Sequence, residues 1–251
     1  MNNHLPENSH RPDISLVILC YKAEESIRQF CQKAIEIFTA SGIYDYELVL
    51  VGNYHENSDD ETPRIVRLLA DQNPKISFVA KIKEGMMGWD MRSGLSLARG
   101  NYIAVIDGDG QMPLEDVVSI YDKIRGEKLD LVKTYRITRG DSLWRKIISF
   151  VYNLLFRFLF PGLRSRDINS KPKIFSRTAY EKLRLTSNDW FIDAEMMIQA
   201  RRLHFKIGEV PTDFLGLEGR ISFVRTPTII EFLKNLLIFR IKEFKYWFWR
   251  G

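Results

Sequence analysis

Residues 102–113 read YIAVIDGDGQMP, and the rest of the chain is organised around them. Tyr102, Ile103, Ala104, Val105 and Ile106 form an apolar run that reads as a buried strand, and it stops at Asp107 and Asp109, two carboxylates separated by one glycine. The aspartates therefore sit where a strand opens into a loop. In open α/β sheets that carboxyl edge is where ligands bind. Two carboxylates one residue apart can share a hard divalent cation, Mg2+ or Mn2+, that keeps coordination sites for substrate phosphates. Gly108 and Gly110 would let a bulky polyanion approach the backbone. The alternative is a solvated Asp-Gly turn.

Upstream, strand and helix patterns alternate. Residues 14–20 (ISLVILC) are a continuous apolar run, as expected of a parallel strand buried on both faces. Residues 24–40 carry apolar side chains at the spacing of an amphipathic helix. A strand at 47–51, a helix at 62–70 with Pro63 in its first turn, and a strand at 76–80 follow. A Gly-rich loop and helix over 85–100 then deliver the chain to the aspartate strand. Downstream, 114–125 reads as a helix and 130–136 as a strand. This alternation predicts an α/β fold, a mostly parallel, Rossmann-like sheet flanked by helices. The polar stretch 53–61 falls on the same sheet edge as Asp107, either lining a nucleotide pocket or forming a solvated loop.

With 251 residues, 45% of them hydrophobic, the chain is long enough to bury an enzyme-sized core. Its formal charge of +5 is unevenly spread: 143–166 holds five Arg or Lys and no acid, and 225–251 holds six against two acids. Both stretches are also apolar and aromatic. In 143–160, Arg145, Lys146 and Arg157 interrupt a run too short and too charged to span a bilayer, which suits a helix lying in a membrane interface. Residues 229–250 repeat the pattern, ending in Tyr246, Trp247, Phe248 and Trp249; aromatics of this kind favour the bilayer edge. The alternative is an ordinary amphipathic helix packed on the domain. Membrane lipid fits this charge pattern better than nucleic acid. Cys20 and Cys31 suggest neither a disulfide framework nor a zinc site, so a reducing compartment is the default. Residues 1–13 lack the apolar core of a signal peptide.

Residues 164–176 (RSRDINSKPKIFS) are dense in groups suited to phosphate: Arg164, Arg166, Ser170, Lys171 and Lys173. A basic surface loop is the plainer reading. In 187–200, Asp193 and Glu195 fall at a helix start, with Asn188 or Asp189 available as cap; they either complement the helix dipole or, for Asp193, serve as a base or positioning group.

Taken in order, these landmarks resemble an inverting family 2 glycosyltransferase of the GT-A fold, on the branch of dolichol-phosphate mannose synthase and polyprenyl-phosphate sugar transferases. They are Tyr21, Glu24 and Glu25 after the first strand; GWDMRSGLSLARG at 88–100; DGDGQMP at 107–113; DINSKPKIFSR at 167–177; WFIDAE at 190–195; EVPTDF at 209–214; and GRISFVR at 219–225. The resemblance implies that Asp107 and Asp109 hold Mg2+ or Mn2+ against the diphosphate of a nucleotide sugar. It places Tyr21, Glu24, Asn53, Arg92, Asp107 and Gln111 on the donor, and Arg136, Arg166 and Ser170 on the acceptor phosphate. It gives Asp107, Asp109, Asp193 and Arg220 catalytic roles, Arg220 closing over the diphosphates. Where relatives carry Pro and Asn-Glu after the first strand, this chain has Leu19 and Lys22-Ala23; where they carry paired aspartates after the second, it has Gly52 and Asn53.

The expected organisation is a flexible tail at 1–12, a GT-A domain at 13–225 that includes an interface helix at 143–163, and a C-terminal amphipathic helix at 226–251. The expected partners are a nucleotide-diphosphate sugar, a polyprenyl phosphate and the inner, cytoplasmic face of a membrane, with peripheral attachment; a second copy of the chain is left open and nucleic acid is not expected. Three rivals remain: a haloacid-dehalogenase-type phosphatase, which would want Thr or Ser in place of Gln111; a silent lipid-binding relative; and a glycosyltransferase acting on a glycan hydroxyl.

Overall fold

The aspartate strand, Tyr102–Asp107, is the central strand of a seven-stranded sheet. In the computed structural model, which describes residues 10–138, 143–163, 165–215 and 226–248, the chain runs β1 (Ile14–Leu19), α1 (Ser26–Ala40), β2 (Tyr46–Val51), α2 (Thr62–Gln72), β3 (Ile76–Val79), α3 (Met87–Leu95), β4 (Tyr102–Asp107) and α4 (Glu115–Gly126). It continues through β5 (Leu131–Thr138), α5 (Leu143–Leu159), β6 (Lys173–Ser176), α6 (Arg177–Tyr180), α7 (Ile192–Arg202), β7 (Ile207–Asp213) and α8 (Thr226–Phe248). The sheet order is β3-β2-β1-β4-β6-β5-β7. Residues 1–9, Arg164, Arg220 with the rest of GRISFVR, and Trp249 lie outside the described residues.

The first four strands are parallel, as their uninterrupted apolar runs imply. The chain winds outward from β1 through β2 to β3 and then returns to place β4 on the other side of β1. That reversal makes a topological switch point between β1 and β4, and Asp107 pairs in register with Leu19 there.

The second half departs from a uniformly parallel sheet. Strand β6 inserts antiparallel between β4 and β5, and β7 pairs parallel with β5 at the edge. Neither strand has an apolar run for pattern reading to find. The core of β6 contains Lys173, and β7 contains Glu209, Pro211 and Asp213.

Each face of the sheet is covered. One core gathers β-strand side chains such as Leu16, Ile18 and Leu48 against α1, α2 and α4, through Phe38, Ile65 and Ile120. The other packs Val17, Val105 and Phe175 against α3, α5, α7 and α8, through Met91, Phe156, Met197 and Leu236. Helix α3 lies close because of Gly94: a Cβ there would come within 2.5 Å of both Val17 Cγ1 and Val51 Cγ2. Helices α5 and α8 each have a packed face and an exposed one. Each inserts one face, with Phe156, Phe160, Phe232 and Phe239 in the second core, and each leaves an apolar stripe in solvent. On α5 the stripe is Phe150, Val151, Leu154 and Phe158, the last 82% exposed; on α8 it is Leu233, Leu237, Ile238, Ile241 and Phe244. No helix among the described residues is long and apolar enough to cross a membrane.

Candidate active site

The switch point brings the loops after β1, β2 and β4 to one edge. Asp107 ends β4 with its side chain 33% exposed. Asp109 follows in a tight turn, its Oδ1 accepting from the Gln111 amide at 3.0 Å. The glycines have different causes. Gly110 has φ +72° with open space where a Cβ would stand, whereas a Cβ on Gly108 would press on Ile18 and on the Leu19 carbonyl at 3.0 Å. So Gly110 serves the turn, and Gly108 serves packing against β1.

The group opposite Asp107 is Lys171. Val105 pairs with Lys173 across the antiparallel β4–β6 ladder, and continuing that register two residues sets Lys171 against Asp107. Its ammonium donates to both carboxylate oxygens, at 3.0 and 2.9 Å, and stands 3.5 Å from Asp193 Oδ2. Burial works against the Lys171 ammonium, but Asp107 and Asp193 outweigh it and hold the lysine charged. Asp193, from the first turn of α7, is 1% exposed and accepts from Lys173 Nζ at 2.5 Å. Lys173 is drawn down to about 8 by burial, with Asp193 opposing the shift. Lys171 and Lys173 are thus buried partners of carboxylates, not members of a basic surface loop. Glu195 holds the loop before α7, accepting from the amides of Thr186 and Ser187.

The strip beside β5 is equally ordered. Arg136 grips Asp167 with two parallel hydrogen bonds, at 2.7 and 3.0 Å. Buried Lys133 pairs with Glu209 at 3.1 Å, and Glu209 also accepts from Ser165 Oγ and the Arg166 amide. Burial lowers Lys133. This network pins residues 165–170 so that the Arg166 side chain, 65% exposed, lies 4.4 Å over the Tyr135 ring. Ser170 is buried, and its hydroxyl meets Thr134 Oγ1 at 2.8 Å.

On the β1–β3 side, Tyr21 is half-buried, with the His55 ring 6.0 Å away edge-on and Lys83 Nζ 4.2 Å over its face. Lys83 pairs with Asp90, whose carboxyl is pushed up by burial. Asn53 is buried between them: its Nδ2 donates to Asp90 at 3.0 Å and its Oδ1 accepts from the Lys81 amide at 2.9 Å. Glu24 is exposed on a left-handed backbone, φ 45°, with its amide donating to Thr62 Oγ1. Arg92 turns to the loop before α7, donating to Asn188 Oδ1 and the Thr186 carbonyl. It lines a cavity of about 490 Å3 with Lys81, Trp89 and Tyr180, a lining that contains none of Asp107, Asp109 or Asp193. The carbonyl of Gln111 accepts from Leu215, after which the chain passes into the stretch containing Arg220.

Lys171, Lys173, Lys133, Lys83, Asp90, Asp167 and Glu209 were not identifiable as a connected set from sequence. Lys171 and Lys173 stood out only as part of the basic stretch 164–176, and the others carried no signal. A divalent cation fits Asp107 and Asp109. The Lys171 ammonium already takes both oxygens of Asp107 as a cation would, and among the described residues no third acid, His or Cys joins them into a closed cage. That is the arrangement in which Mg2+ keeps ligand positions for water and phosphate.

Residues 15–185, most of the sheet and the whole of this edge up to the start of α7, match the family model described as glycosyl transferase family 2. The chain belongs to glycosyl transferase family 2. Among its relatives, a glycosyltransferase, AglD, from Haloferax volcanii is 27% identical over 80% of this chain and 33% of its own length. A dolichyl-phosphate beta-glucosyltransferase of Saccharomyces cerevisiae is 24% identical over 93% of this chain and 77% of its own. The chain thus spans about a third of the first relative's length and most of the second's. Glucosyl-3-phosphoglycerate synthase from Mycobacterium tuberculosis, solved with Mn2+, UDP and phosphoglyceric acid, superposes with a TM-score of 0.68 at 19% identity, covering 91% of this chain and 78% of that one. This family 2 glycosyltransferase therefore has the GT-A fold, with a mostly parallel sheet flanked by helices.

Proposed function

We propose that the chain moves a sugar from a nucleotide-diphosphate sugar to a polyprenyl phosphate at the inner face of a membrane. The observation that carries the reading is the placement of Asp107 at the β1–β4 switch point, with both of its oxygens turned toward the Lys171 ammonium. Asp107 and Asp109 would hold Mg2+ or Mn2+, which would supply electrostatic stabilisation of the departing diphosphate. Tyr21, His55 and Lys83 form the wall on which the base and ribose lie, and Gln111 stands beside the diphosphate. Arg220, which the family resemblance assigns to the diphosphates, lies outside the described residues.

Two observations support a phosphate acceptor over a glycan hydroxyl. Asp193 is buried and committed to Lys173, so it is poorly placed to take a proton. A phosphate monoester is already ionised near neutral pH and requires no base. Arg166, exposed and stacked on Tyr135, is the cationic group open to that phosphate, with Arg136 and Ser170 fixing the loop that carries it. An acceptor oxygen forms the new bond to the anomeric carbon as the bond to the diphosphate oxygen breaks on the opposite face, inverting the centre. The exposed stripes of α5 and α8 rest on the bilayer that holds the polyprenyl tail. Relatives named as dolichyl-phosphate beta-glucosyltransferases, including one from Dictyostelium discoideum, support the acceptor, and the UDP complexes of the structural neighbour favour a uridine donor. The test is transfer of label from a panel of UDP- and GDP-sugars into organic-extractable lipid when polyprenyl phosphate is supplied; label in a water-soluble glycan instead would overturn the acceptor assignment.

A further inference from the structure

Lys171 has no task in that scheme, yet it contacts both oxygens of the proposed metal carboxylate. Its side chain is 4% exposed, its ammonium reaches both oxygens of Asp107, and its alternative partner, Asp193, is 3.5 Å away. Asp193 already accepts from Lys173 at 2.5 Å.

We propose that Lys171 is a positioning residue that makes the cation site selective for metal arriving with a diphosphate. The proposal rests on the assignment of Asp107 and Asp109 as metal ligands. A divalent ion needs the same Asp107 oxygens at about 2.0–2.1 Å and repels an ammonium on them. Asp193, shared with a second lysine, is a poor refuge for the displaced charge. A nucleoside diphosphate changes the balance: its oxygens neutralise the metal and offer the ammonium a new acceptor at the mouth of the site. The long, flexible lysine stem allows that transfer. Bare metal therefore binds weakly, and metal with diphosphate binds well.

The test is Mn2+ binding to the full chain, read from the electron paramagnetic resonance of free Mn2+, with and without UDP or GDP. Bare Mn2+ should bind about tenfold tighter to K171M and K171Q than to wild type, because a like charge is gone, while K171R stays at the wild-type value. With the nucleotide that raises wild-type affinity, the order should reverse, K171M and K171Q falling below wild type. A merely structural lysine would weaken both modes together. K171Q and K171R keep the test informative where K171M does not fold. Bare-metal affinity unchanged or weakened in folded K171Q overturns the proposal while leaving the metal assignment intact. Failure of wild type to bind Mn2+ with either nucleotide, indistinguishable from D109N, removes the metal assignment and this proposal with it.

Discussion

Lys173 and Asp193 show how much of the site's chemistry is settled by burial. Lys173 titrates near 8 in the folded chain against the ordinary lysine value of 10.5. Between those values the unfolded chain binds more protons than the folded one, so this residue's contribution to stability rises with pH. Denaturant unfolding of wild type and K173M at pH 7.5 and 9.5 should show the difference moving in favour of wild type by on the order of 2 kcal/mol at the higher pH. Asp109 is of another kind: half-buried in a turn and remote from either core. D109N should lower turnover at least about 100-fold while the melting temperature moves by less than about 2 °C, since near-surface polar changes rarely alter stability. Arg166 extends over Tyr135 into solvent, so R166A should raise the acceptor KM while slow donor hydrolysis persists; equal loss of both would contradict its assignment. At this scale the sequence revealed Asp107 and Asp109 because a strand ending in carboxylates is conspicuous. It named Lys171 only as one of several phosphate-suited groups and missed Asp90, because a buried lysine or aspartate has the same letter as a solvated one, and only its partner, distant in the chain, tells them apart.

Among the elements, legibility tracked polarity. Strands β1, β2 and β4 are buried on both faces and read directly from their apolar runs. Strand β6 did not, because Lys173 at its start and Lys171 just before it are neutralised by side chains from α7 and β4, an arrangement with no local signature. Helix α3 depends on a missing side chain: G94A would drive a Cβ into Val17 and Val51, and overpacking of this sort costs about 1–3 kcal/mol. Thermal unfolding should show the loss, and an unchanged melting temperature would mean that α3 sits farther from the sheet. Helices α5 and α8 were posed as either core or interface helices, and the fold gives each a packed face and an exposed apolar one. Helix α8 is tied down by Asn235 on Asp189 and by Glu243 on Arg201, so removing it would disturb the core as well as any lipid contact. A surface change separates these effects. F158E combined with L237E alters only exposed positions; it should preserve the melting temperature and reduce co-sedimentation with anionic lipid vesicles at least about tenfold. Undiminished vesicle binding would contradict the interface role.

The molecule as a whole joins a parallel half, β1 to β4, proposed to hold the donor, to a mixed half, β6, β5 and β7, proposed to hold the acceptor, with Lys171 and Asp193 across the seam from Asp107. The parallel half was the legible one, and the family match, residues 15–185, runs beyond it through β5 and β6. The mixed half is a network of buried ion pairs that leaves Asp193 little freedom to act as a base. A cation on Asp107 and Asp109 is proposed to activate a nucleotide sugar for attack by a lipid phosphate. The most direct test of that proposal measures label transferred from UDP- and GDP-sugars to polyprenyl phosphate by wild type and D109N, with Mn2+ and with a chelator. The account predicts lipid-linked label that requires both Mn2+ and Asp109. Equal transfer in D109N, or transfer undiminished by the chelator, would contradict it.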